Sequence, residues 1–243
     1  MITVKEIAEK TMSESKKASA KNDLFAFYIG RPLSYVLTIP FLYTNIKPNT
    51  ITLLSVIPTA IGFVLSCFVD SKPGMILCWL MYFLWNLLDG VDGNVARYKK
   101  QFSKLGSVYD AMSGYLAASL TFFSTAIMAA HTDGILIRNG LLNTDAIIII
   151  GGMSALFNMF PRLVMHKAIT EMGSREDVSE VSDKKNYSLV KIIALNLKSA
   201  AGGAQVLMLV AIIAGITDIY SVCYLLFNIL VMLTSLKTIL KEK

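Results

Sequence analysis

Three acidic residues stand in an otherwise apolar part of the chain. Asp89 and Asp92 lie in Leu88-Asp89-Gly90-Val91-Asp92-Gly93-Asn94-Val95-Ala96-Arg97, and Asp110 follows Leu105-Gly106-Ser107-Val108-Tyr109. Asp89 and Asp92 are three residues apart and therefore share one face of a helix. Asp110 falls one turn into the next helix, after a short basic loop, so an antiparallel pair of helices should bring the three carboxylates together. Acids beside membrane-type apolar segments are costly and mark functional sites. Three of them repel one another unless a cation sits among them. Oxygen ligands with no His or Cys nearby select a hard ion, Mg²⁺ or Mn²⁺. Such an ion can hold diphosphate oxygens and neutralise charge as the bridge breaks. Arg97 supplies planar, bidentate phosphate recognition, and Gly93 and Ala96 leave room for a ligand against the backbone. A lone Asp-Gly at a helix end is usually a solvated turn; three acids on facing helices with an arginine are not. The set fits a nucleotide-linked diphosphate.

The elements that must position these residues are membrane helices. The chain has 243 residues, 54% hydrophobic and only 16% charged, with a mean hydropathy of +0.57, where a soluble domain is about one quarter charged. A spanning helix needs roughly 20 apolar residues. Six stretches qualify: 51–69, 74–88, 105–130, 146–165, 203–216 and 219–240. The second is long enough only if it runs on into its Asp-Gly end, and the fifth only if it starts near Ser199. Residues 33–43, with Pro40 inside and Phe25, Phe27 and Tyr28 before, read as an interfacial amphipathic segment. The expected fold is all-α and polytopic: a tail and interfacial helix over 1–46, then a six-helix membrane catalytic domain over 47–243. The first residues are polar and do not form a signal peptide.

Net charge is +6, and all of the 23 Lys and Arg except Lys72 and Arg138 fall on one side of this topology. By the positive-inside rule both termini and the acidic site face the cytoplasm of a bacterial-type inner or plasma membrane. Topology and anionic lipid explain the basic excess. No aromatic-interleaved basic face for nucleic acid is present. Cys67, Cys78 and Cys223 have no metal spacing and read as small buried residues. Asp70, Asp133, Asp145 and Asp218 read as solvated turns or helix caps, His131 as a loop residue, Trp79 and Trp85 as packing, and 172–187 as a charged cytoplasmic loop.

The motif resembles the signature of the CDP-alcohol phosphotransferases, D-x-x-D-G-x-x-A-R-x8-G-x3-D-x3-D. Asp89, Asp92, Gly93, Ala96, Arg97, Gly106 and Asp110 match seven of its eight fixed positions; chance would do so on the order of 10⁻⁹ per starting position. Pro48-Asn49-Thr50-Ile51-Thr52 is similar to the segment that opens the first helix in that family. The resemblance implies that Asp89, Asp92 and Asp110 bind divalent metal and serve catalysis. It implies a nucleotide site including Asn49, Thr52, Gly93, Ala96, Arg97 and Gly106, a CDP-linked donor, release of CMP, and a homodimer.

The pattern breaks at its eighth position, where Gly114 replaces an aspartate that the resemblance makes the general base. Three readings follow. The acceptor is an alcohol whose proton leaves by another route. Or it is a phosphate monoester such as a polyprenyl phosphate, already an oxyanion at neutral pH because its second pKa is about 6, with Gly114 opening space for it. Or the chain is an inactive or deliberately altered relative, a reading opposed by Ser113-Gly114, which reads naturally as a close helix contact. Arg162, after Pro161, is placed with Lys198 as an acceptor-phosphate residue; His166 and Lys167 read as a positive flank. A transporter or a nucleotide-binding scaffold is the rival class.

Overall fold

The computed structural model describes residues 2–13, 17, 20–172 and 189–240. Helix α1 (Val4–Thr11) is followed by a π-helical turn (Ala26–Gly30) that runs directly into α2 (Arg31–Leu42). Then come α3 (Pro48–Ser66), α4 (Lys72–Lys99), α5 (Gly106–His131), the short α6 (Ile135–Arg138), α7 (Thr144–Met172), α8 (Leu189–Lys198), α9 (Gly203–Ala214) and α10 (Thr217–Ile239). No strand occurs among the described residues. The loop expected over 172–187 lies, from residue 173 on, outside them.

Among the described residues, five helices are long and apolar enough to cross a membrane: α3, α4, α5, α7 and α10. The fifth expected span is not one straight helix. Residues 192–198 and α9 form a pair bent by 64°, because α9 alone has twelve residues, about 18 Å at 1.5 Å per residue, against a hydrocarbon core of roughly 30 Å. Glycine makes the bend possible, since a Cβ on Gly203 would stand 2.6 Å from the Asn196 carbonyl oxygen.

The second span does continue through its polar end. Helix α4 has 28 residues, about 42 Å, so its last turns reach beyond an apolar slab and carry the acidic motif to the boundary. Gly90 and Gly93, deep inside it, would each cost about 1 kcal/mol of helix propensity; close packing offsets this at Gly90, where a Cβ would meet the Ser34 side chain at 2.9 Å. Asn94, buried, donates to Ser34 Oγ at 3.3 Å and Thr38 Oγ1 at 3.2 Å, which fixes α2 against the motif. Ile7, Tyr35, Leu42, Ile51, Val91 and Val95 close this end as one apolar cluster. Outside it, Tyr98 donates to Glu6 Oε1 at 2.6 Å and Lys10 to the same oxygen at 2.8 Å; the Lys10 ammonium is the first reason the Glu6 carboxyl titrates below its usual range.

Three minor readings are corrected at the opposite end. Asp218 is fully buried, not solvated. It caps α6 by accepting from Leu136 N at 2.6 Å and also accepts from Ile219 N at 2.8 Å, and Gly134 admits it, since a Cβ there would lie 2.2 Å from its carboxyl carbon. Cys223 is exposed, whereas Cys78 is buried as expected. His131 is the last residue of α5 instead of a loop residue.

Candidate active site

A chain of hydroxyls sets the three motif helices against one another. Trp85 Nε1 donates to Ser113 Oγ at 2.9 Å. Ser55 Oγ donates to the Thr52 carbonyl at 2.7 Å, so its 2.9 Å contact with Ser113 uses the Ser113 proton. Thr52 Oγ1 donates to Asp92 Oδ2. Every member is buried, where an unpaired hydroxyl would be costly. The relay therefore locks α3, α4 and α5 in register, with Asp89 one turn past Trp85 and Asp110 just before Ser113. Trp85 is more than packing.

Beside this relay opens a cavity of about 450 Å³. Asp89 from α4, Asp110, Gly114 and Tyr115 from α5, and Arg162 and His166 from α7 line it, and the turn at 199–201 closes it. A Cβ on Gly114 would meet nothing within 4 Å. Gly114 is thus not a close helix contact; Ser113 alone makes that contact, and Gly114 gives open room. Lys198 does not line this space. It borders an adjoining cavity of about 170 Å³ that shares Tyr115, Arg162 and His166.

The acids come together less tightly than their spacing implies. Asp89 and Asp110 share the main cavity, whereas Asp92 is 7% exposed and turned onto Thr52. All three remain close enough to repel one another, and Arg97 lies within electrostatic reach of Asp92 and Asp110. Among the described residues, no three His, Cys, Asp or Glu side chains form a ready-made ligand group. The donor set is nonetheless all oxygen and strongly anionic, which fits a hard divalent cation and no softer one.

The residues expected to hold the nucleotide also lie at this end. The Arg97 guanidinium rests on Gly93, where a Cβ would stand 2.9 Å from one of its nitrogens. It donates to Asn94 Oδ1 at 3.3 Å, and its Nε is buried without a hydrogen-bond partner. A buried N–H of this kind is costly until an acceptor arrives, and a phosphate oxygen is the acceptor a guanidinium prefers. Asn49 donates to Ser103 Oγ at 3.0 Å and lies beside Gly106, so the starts of α3 and α5 meet. The Ala96 carbonyl accepts from Gln101 N at 2.9 Å where α4 ends. Replacing Gly93 with Ala should displace the guanidinium and weaken CDP binding about tenfold, the loss of one good charged contact. Calorimetric titration of CDP checks this; unchanged affinity would detach Arg97 from the nucleotide.

On α7, His166 is more than a positive flank. Its Nε2 is hydrogen-bonded to the Tyr115 hydroxyl, and the Arg162 guanidinium carbon lies 5.5 Å from the Tyr115 ring centre. Sequence reasoning missed Tyr115, although the helical spacing of Ser107, Ala111, Gly114 and Ala118 marks the cavity face of α5 and Tyr115 borders it.

No curated protein matches the chain. The family model described as CDP-alcohol phosphatidyltransferase matches residues 45–216, a stretch that takes in Asn49, the acidic motif, Arg162 and Lys198. With most of its length matched and its acids placed at one end of an apolar helix bundle, the chain belongs to the CDP-alcohol phosphatidyltransferase family, membrane enzymes that move a phosphate-linked group from a CDP-alcohol to a lipid-type acceptor.

Proposed function

We propose that this chain transfers a substituted phosphate from a CDP-alcohol to an acceptor held in the Arg162 cavity, releasing CMP into the cytoplasm. The observation that carries this is a single cavity with Asp89 and Asp110 on its α4 and α5 sides and Arg162 on its α7 side. Acids there repel an anionic acceptor unless they are neutralised, and an arginine there attracts one. Asp89, Asp92 and Asp110 would hold Mg²⁺ or Mn²⁺, which when bound supplies charge neutralisation for the diphosphate. Arg97 binds donor phosphate through its unpartnered Nε, Gly93 and Ala96 let the donor approach α4, and Asn49, Thr52 and Gly106 border it. An acceptor oxygen attacks the phosphorus carrying the alcohol, the bond from that phosphorus to the bridging oxygen breaks, and CMP takes the electron pair. Lys72 and Arg138 stand at the far end of the bundle, which supports a cytoplasmic site and termini.

A second reading, a phosphate monoester as the nucleophile, draws support from the open space at Gly114 beside Arg162. Purified protein given a CDP-alcohol and Mg²⁺, with either a lipid alcohol or a polyprenyl phosphate, separates the two by product. CMP formation with either acceptor upholds the transferase. CDP binding without any CMP release would leave a scaffold or an inactive relative.

A further inference from the structure

We infer that Tyr115 and His166 act together as the proton acceptor for an alcohol substrate, in place of the carboxylate that Gly114 does not supply. This rests on the transferase reading and deepens it, by committing to a hydroxyl nucleophile. The main cavity holds two kinds of group that could take a proton: the carboxylates Asp89 and Asp110, and the Tyr115–His166 pair. The carboxylates would hold the cation and, in doing so, would lose basicity. The pair would not. Its phenol oxygen and imidazole nitrogen are hydrogen-bonded across α5 and α7, and both residues border the open space left at Gly114.

The geometry sets the direction of the relay. The Tyr115 hydroxyl is the donor when His166 Nε2 is unprotonated, so its oxygen is free to accept a hydrogen bond from an acceptor hydroxyl in the cavity. As the acceptor oxygen forms its bond to phosphorus, its proton passes to the Tyr115 oxygen while the Tyr115 proton passes to His166 Nε2. The phosphorus–bridging oxygen bond breaks and CMP leaves with that electron pair; the net change on the protein is one proton gained by His166. His166 is exposed at the rim, so this proton returns to water before the next turnover. Arg162, stacked over the phenol ring, favours negative charge on the Tyr115 oxygen during the transfer.

A purely structural role, tying α5 to α7, is the competing explanation. The experiment uses the full chain, a CDP-alcohol, Mg²⁺ and an alcohol acceptor, and measures CMP release from the unmodified protein and five variants. His166→Asn and Tyr115→Phe should each lower kcat about 100-fold, the low end for loss of a general base, with donor KM within about threefold. The double variant should lose no more than either single one, because the two work as a unit. Gly114→Asp, for which space is present, should restore a carboxylate base and shrink the His166→Asn penalty to below about tenfold. CDP titration confirms that each variant is folded; Tyr115→Phe keeps the ring should His166→Asn fail this check. An equal His166→Asn penalty with and without Gly114→Asp, or multiplying losses in the double variant, would overturn the relay and leave the transferase intact. No CMP from the unmodified protein with any acceptor would overturn both.

Discussion

Asp110→Asn should abolish transfer, lowering CMP release roughly 10³-fold, about 4 kcal/mol of lost charge stabilisation, while the protein becomes harder to unfold without divalent cation. Both effects have one cause. Asp89, Asp92 and Asp110 repel one another, and although Arg97 lies within electrostatic reach of Asp92 and Asp110, none of the three forms an ion pair with a described residue. In the absence of metal this repulsion works against the fold. Asn keeps the shape of the side chain and removes the charge, so the variant should melt at a higher temperature than the unmodified protein in EDTA. Mg²⁺ with CDP should raise the melting temperature of the unmodified protein, because a ligand that binds only the folded state stabilises it by mass action. The same addition should leave the variant nearly unmoved. Lost activity with enhanced apo stability is the usual signature of a functional site that carries strain. If Asp110→Asn keeps its activity, or if the metal-free variant melts lower, the acids are not a cation site and the catalytic assignment of Asp110 is wrong.

The acidic motif and its helix were legible because their signals are local. Asp89 and Asp92 lie within one turn, Arg97 and Lys99 mark the end of α4, and the apolar run before them fixes its direction. The broken fifth span was half legible: the shortness of 203–216 and the Gly202-Gly203 pair were visible, but a 64° bend depends on how Gly203 meets the Asn196 carbonyl, which no linear pattern encodes. Asp92 turning away onto Thr52 is a contact across 40 residues, and Trp85, Ser113 and Ser55 form their relay across three helices. Their residue types are ordinary for membrane helices, so nothing in the sequence set them apart. Asp218 escaped for a related reason: a buried helix cap uses the same residue as a solvated turn, and only the neighbouring backbone tells them apart. His166 looked like one more positive-inside residue until Tyr115 from the facing helix supplied its partner.

Arg162→Met divides the acceptor classes by the size of its effect. The guanidinium lines both cavities and rests over Tyr115, and no acidic side chain among the described residues pairs with it. An arginine part-buried without a carboxylate is poised for an anion from outside the chain, and its planar fork suits phosphate. Met preserves most of the side-chain volume and packing but not the charge. For an acceptor that carries a phosphate, whether as the nucleophile or elsewhere on an alcohol, the change should cost about 3 kcal/mol, roughly 150-fold in acceptor kcat/KM. Arg162→Lys should recover part of this, since a point charge replaces the fork without matching it. Donor KM should stay put, because the proposed donor contact is Arg97, not Arg162. For a neutral alcohol the Met variant should lose less than about tenfold, only the contribution of Arg162 to the Tyr115 ring. A 150-fold loss that falls on the donor KM instead would move Arg162 to the nucleotide side of the cavity and remove the basis for placing the acceptor against α7.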